Sequence, residues 1–180
     1  MTVLVSGGSK NGKSGFAQEL AVRLSGNGRR YYVATMVPFD DEDRSRIKRH
    51  IADREGLGFE TLELGTDIAR CLEQGDNGTF LIDSVTALLV NEMFSGVQDG
   101  TVDDNAGVRT RDGLLEVARR AGNAVFVTDY IYSDALRYDE FTENYRKTLA
   151  MIDRALAGVC DTVIELCAGN VIFHKGGIDL

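Results

Sequence analysis

Near the amino terminus, Gly7-Gly8-Ser9-Lys10-Asn11-Gly12-Lys13-Ser14 fits the pattern GxxxxGK[ST] at every fixed position. That spacing suits phosphate binding. Glycines let backbone N–H groups converge on phosphate oxygens with no Cβ in the way. Lys13 is placed to neutralise β- and γ-phosphate charge, and the Ser14 hydroxyl to hold Mg²⁺. An apolar strand-like run, Val3-Leu4-Val5-Ser6, precedes the loop, and a helix begins near Lys13. Its N-terminal dipole adds to the attraction. A chance match in a glycine turn would lack this setting. The motif therefore predicts nucleotide binding, with GTP or ATP held by its phosphates, and names no reaction.

Two carboxylates follow other apolar runs. Asp83 closes Phe80-Leu81-Ile82 and can stand beside the metal at the sheet's carboxyl edge. The plainer reading makes it the N-cap of a helix beginning near Val85, and the two roles are compatible. Asp129 follows Val125–Thr128; it either faces the same crevice or is a solvated strand-end carboxylate.

A third group of residues lies between Asp40 and Arg54, where acids give way to Arg44, Arg46, Lys48, Arg49, His50 and Arg54. That polarity favours a helix. Spacing by four puts Arg46, His50 and Arg54 on one face, with Ile47 and Ile51 on a neighbouring face suited to packing. Guanidiniums flanking an imidazole make a phosphate-handling surface, and a neutral imidazole can attack phosphorus to form a covalent intermediate. Periodicity alone favours a solvated charged face over that chemistry. The other histidine, His174, reads as structural.

The elements that must position these residues alternate short apolar runs with longer amphipathic ones, which predicts βα units around a mainly parallel sheet. Strands are expected at Val3–Ser6, Arg30–Ala34, Phe59–Leu62, Thr79–Ile82, Ala124–Thr128, Thr162–Leu166 and Val171–His174. Helices are expected at Lys13–Leu24, Asp41–Arg54, Asp67–Gln74, Val85–Phe94, Val108–Ala121 and Tyr138–Ala157. In the last of these, Phe141, Tyr145, Leu149, Ile152 and Leu156 form an apolar stripe. Only Ala168-Gly169-Asn170 separates the final two strands, so they should pair as an antiparallel hairpin. Ser95 to Ala106 reads as an exposed loop. The expected fold is a single three-layer α/β domain over residues 1–180, of the P-loop NTPase (RecA-like) type.

The net charge of -8 argues against broad attraction to nucleic acid or to an anionic membrane. No apolar run reaches the roughly 18 residues a membrane span needs. Met1 leads straight into a strand with no basic leader, and the three cysteines, Cys71, Cys160 and Cys167, show no metal-site spacing. A cytoplasmic protein is expected.

Taken together, these segments resemble the bifunctional adenosylcobinamide kinase/adenosylcobinamide-phosphate guanylyltransferase family of cobalamin assembly. Its opening pattern [IL]LV[ST]GGxxSGKS is similar to Val3 to Ser14, with Val3 at the Ile/Leu position and Asn11 at the first-half serine. Its Y[IV]AT strand is Tyr32-Val33-Ala34-Thr35, and its acidic turn is Asp40-Asp41-Glu42. Its RIxxHxxxR stands as Arg46-Ile47-Lys48-Arg49-His50-Ile51-Ala52-Asp53-Arg54. The family's WxTxE-like and D-C-[LI]-T segments are echoed by Phe59 to Glu63 and by Asp83 to Thr86, with Asn91 in register.

The resemblance implies that His50 carries the guanylyl group, that Arg46 and Arg54 stabilise the transferring charge, and that Lys13, Ser14, Asp83 and Mg²⁺ serve the phosphates. It implies two reactions: phosphorylation of adenosylcobinamide, then transfer of GMP from GTP to its phosphate. It also implies a homotrimer whose active site borrows from a neighbour. The second half departs from the pattern. TNEVG is replaced by Thr128-Asp129-Tyr130-Ile131-Tyr132, and in FRDxxGxxNQxLA the Gly, Asn and Gln positions are Ala150, Asp153 and Arg154. The nucleotide half is intact by this comparison, while the corrinoid half is altered. A different small-molecule P-loop kinase, or a nucleotide-binding regulator without catalysis, remains an alternative.

Overall fold

A computed structural model describes residues 1–95 and 102–178. Among these residues seven strands form one sheet in the order β3-β2-β4-β5-β1-β6-β7. The strands are β1 Thr2–Gly7, β2 Arg30–Ala34, β3 Glu60–Glu63, β4 Thr79–Asp83, β5 Asn123–Asp129, β6 Thr162–Cys167 and β7 Asn170–Lys175. Five α-helices accompany them: α1 Lys13–Ser25, α2 Asp41–Asp53, α3 Val85–Phe94, α4 Ala106–Arg120 and α5 Glu140–Val159. All pairings are parallel except β6 with β7, which is antiparallel as expected, with only Ala168-Gly169 between the two strands.

Alternation along the central strands splits the core in two. Tyr31, Val33, Phe80, Ile82 and Phe126 face α3, α4 and α5, whose Leu88, Leu114 and Leu149 are buried against them. Tyr32, Leu81, Val125, Val127, Val3 and Val5 face the other way, onto Ala17, Leu20 and Ala21 of α1. The result is the three-layer α/β arrangement expected.

Several expectations need correction. The helix expected over Asp67–Gln74 is a 3₁₀ helix, Ile68–Gln74, preceded by Asp67 at φ 51. Ala106 is buried and opens α4 rather than closing an exposed loop, while residues 96–101 of that loop lie outside the described residues. In the α5 stripe Tyr145, Leu149, Ile152 and Leu156 are buried, but Phe141 is exposed and packs on Phe94. Ile47 and Ile51, on the α2 face expected to suit packing, do not enter the core: within the described residues α2 buries no side chain.

Cys71 and Cys160 are buried thiols and Cys167 is exposed; none is in a disulfide. Burial pushes both buried thiols up to about 12. Among the described residues no helix is long and apolar enough to cross a membrane.

Candidate functional site

The carboxyl ends of β1, β4 and β5 lie side by side, since β5 pairs with both β1 and β4. This brings Gly7, Asp83 and Asp129 to one edge of the sheet. From Gly7 the chain turns through Lys10 at φ 59 and Gly12 at φ 89 into α1. Both lie in the left-handed region, which glycine enters without a Cβ clash. Gly12 caps α1 with no side-chain hydrogen bond, as suits a helix start whose N–H groups serve an anion.

Lys13 is buried and its ammonium is fully engaged. Its Nζ donates to Gly8 O at 2.6 Å and to Asp129 Oδ1 at 2.7 Å, with Asn11 Oδ1 at 3.4 Å. Asp129 therefore faces the crevice, which resolves the two readings the sequence left open. Asn11 also donates through Nδ2 to Leu166 O at 2.5 Å, so it braces the loop against β6. Gly7 fits beneath this brace: a Cβ there would meet Asn11 Nδ2 at 2.5 Å and Leu166 O at 2.7 Å.

Asp83 accepts a 2.8 Å hydrogen bond from the Tyr32 hydroxyl through Oδ2. It is not the cap of α3; Ser84 fills that role by accepting from Ala87 N. Thr35, at the end of β2, donates from Oγ1 to Ser84 O and accepts from Ser84 N, so the turn after β4 is clamped to β2. Asn91 donates to both Thr35 O and Gly65 O, which fixes the ends of β2 and β3.

A cavity of about 770 Å³ lies over this edge. Its wall includes Lys10, Asn11, Gly12, Lys13 and Ser14 from the loop, then Asp83 and Asp129, and Arg46, His50 and Arg54 from the α2 side. Gly7, Gly8 and Ser9 are not on the wall. Ile47 and Ile51, on the face of α2 suited to packing, line the cavity. His50 is half-buried, and its Nδ1 is enclosed with no hydrogen-bond partner among the described residues. Arg54 follows α2 and lies over the Tyr32 ring, 4.3 Å from its centroid, while donating to Thr61 Oγ1. His174 is on β7, 2.8 Å from Glu165, and is not part of the cavity wall.

The oxygen donors Ser14 and Asp83 share the cavity, as befits a hard cation that keeps water and phosphate oxygens as most of its ligands. Among the described residues no group of three or more His, Cys, Asp or Glu could hold a metal unaided. That donor set fits Mg²⁺ brought in with a nucleotide.

The profile of a family described as cobinamide kinase / cobinamide phosphate guanyltransferase matches residues 3–173. The chain belongs to this family. A curated relative, the bifunctional adenosylcobalamin biosynthesis protein of Salmonella typhimurium, is 26% identical over 181 residues, covering 94% of this chain and 97% of the relative. Among solved structures, an ATPase domain aligns with a TM-score of 0.56 at 13% identity, covering 97% of this chain and 76% of that one. That likeness concerns the fold, which is the P-loop type expected.

Within the cobinamide kinase / guanyltransferase family pattern, the departures can now be placed. Asp129 holds Lys13. Asp153, on α5, accepts from Thr128 Oγ1 at 3.0 Å and from Tyr132 OH at 2.9 Å, while its Oδ1 is enclosed and unpartnered among the described residues. Burial pushes its carboxyl up to about 7, against the pull of those two donors. Arg146 pins the chain before α5 by pairing with Asp134 and Glu143, each at 2.8 Å. Sequence reasoning missed Tyr32 as a site residue, although the Tyr32-Val33-Ala34-Thr35 segment had marked its strand. It also missed the brace made by Asn11, whose partner is 155 residues away.

Proposed function

We propose that the chain phosphorylates adenosylcobinamide and then transfers GMP from GTP to the cobinamide phosphate through a guanylyl-histidine intermediate on His50. One observation carries this reading: Lys13 and His50 line the same cavity within a single chain. Family membership supports the substrate classes, a nucleoside triphosphate and a cobinamide-type corrinoid.

In the kinase step the acceptor hydroxyl attacks the γ-phosphorus, nucleoside diphosphate leaves, and the hydroxyl proton passes to solvent. Lys13 turns from Asp129 to the β- and γ-phosphates, and the loop amides hold them in line. In the guanylyl step an imidazole nitrogen of His50 attacks the α-phosphorus of GTP, and pyrophosphate departs. An oxygen of the cobinamide phosphate then takes the GMP, the P–N bond breaks, and the imidazole is restored. Arg46 steadies charge on the group in flight, and Arg54 does so from the end of α2. Ser14 and Asp83 would hold Mg²⁺, which would neutralise phosphate charge. By resemblance the assembly is a homotrimer, which light scattering would check.

The test is incubation with α-labelled GTP and Mg²⁺. The expected product is an acid-labile, alkali-stable adduct on the protein, absent from His50→Ala. Because His50 is on a helix outside the core, that variant should melt within about 2 °C of the parent. A γ-phosphate-consuming protein without an adduct would be a different P-loop kinase; one that binds GTP and does neither would be a regulator.

A further inference from the structure

We propose that Tyr32 is a positioning residue that ties the metal side of the site to the helix carrying His50, a role that rests on the reading of His50 and Asp83 above. Tyr32 is on β2 and only 4% exposed, yet both of its useful surfaces are engaged. Its hydroxyl donates to Asp83 Oδ2 at 2.8 Å, the only side-chain hydrogen bond that Asp83 makes among the described residues. Its ring face carries the Arg54 guanidinium at 4.3 Å, and Phe59 packs against it edge-on at 6.1 Å.

Two consequences follow from the chemistry of the ring. The phenol O–H points at the carboxylate as a donor, and its 2.8 Å hydrogen bond fixes Asp83 Oδ2. A carboxylate with one oxygen fixed in this way presents a defined orientation for metal binding. The second consequence concerns α2. That helix buries no side chain, so packing does not set its place over the cavity. Arg54, one residue past its end, is held from two sides, by the Tyr32 ring and by Thr61 Oγ1 on β3. Phenylalanine would supply only the ring face and an aliphatic residue neither surface.

Two substitutions separate the two surfaces. Tyr32→Phe keeps the face and loses the donor. The Mg²⁺ concentration at half-maximal binding of a fluorescent GTP analogue should rise about 5- to 10-fold, while amide hydrogen exchange across 41–54 in nucleotide-free protein stays at the parent rate. Tyr32→Leu loses both, and exchange across 41–54 should quicken by about tenfold. If Tyr32→Leu fails to fold, Arg54→Met at the surface tests the same seat. An unchanged Mg²⁺ midpoint in Tyr32→Phe, or parent-like exchange in Tyr32→Leu and Arg54→Met, overturns the proposal. Neither readout uses the adduct, so absence of an adduct on the parent protein sinks the histidine mechanism and leaves this tie to be judged separately.

Discussion

Asp153 occupies a position where neutral asparagine would satisfy the same two hydroxyl donors, Thr128 and Tyr132, without burying a charge. Its carboxyl is pushed up to about 7 by burial, so the native state keeps a proton that the unfolded chain has already released. Stability therefore falls as pH rises from about 4 towards 7, and the deficit is complete above that. Asp153→Asn should leave the unfolding free energy nearly unchanged at pH 4 and raise it at pH 8 by an amount on the order of 2 kcal/mol, seen as a higher melting temperature at pH 8 only. A gain of the same size at both pH values would assign it to packing instead. Asp129 makes the opposite case, a carboxylate paired at 2.7 Å with the lysine the phosphates need. Asp129→Asn should tighten GTP-analogue binding several-fold in a fluorescence titration, while costing about 1 kcal/mol of stability. Weaker binding would instead give Asp129 a direct part in holding the nucleotide. At this scale the sequence exposes contiguous chemistry and hides the rest. The loop from Gly7 to Ser14 is read from spacing alone, whereas Tyr32 and Asp83 meet across 51 residues of chain that no local pattern joins.

The phosphate loop and α2 are positioned by opposite means. Gly7 is wedged under Asn11 and Leu166, so Gly7→Ala must displace the brace to β6. It should weaken nucleotide binding at least about tenfold with the far-ultraviolet circular dichroism preserved, because the clash is confined to the loop. α2, by contrast, is capped by Asp40, which accepts from Asp43 N at 2.8 Å, and it carries acids in its first turn. Those signals made the helix legible. Its placement was not, because Ile47 and Ile51 marked only a face suited to packing, and that face lines the cavity. The stripe of α5 was legible from Tyr145 to Leu156 because four buried residues at three- and four-residue steps face a sheet. The segment after Asp67 showed helical composition, but at seven residues it forms the tighter 3₁₀ turn.

For the molecule as a whole, alternating elements predicted a parallel sheet with a terminal hairpin but not its order. β4 and β5 insert between β2 and β1, and that choice is made by crossover geometry and packing rather than by any one strand's residues. It is also what sets Asp83 and Asp129 beside the loop. A ligand seated there should stabilise the entire domain by linkage, about 2.7 kcal/mol at a hundred times its dissociation constant. Differential scanning fluorimetry with Mg²⁺ and GTP should then raise the melting temperature by roughly 5 to 10 °C. Lys13→Ala should abolish the shift, and persistence of the full shift would place the nucleotide elsewhere. The cysteines offer a practical route to watching such binding. Cys71 and Cys160 are shut away as unreactive thiols, while Cys167 is exposed and follows Leu166, whose carbonyl receives the Asn11 amide. A maleimide fluorophore should therefore attach at one place in the native protein, next to the strut that steadies the loop, and its emission would give a direct optical signal of nucleotide arrival.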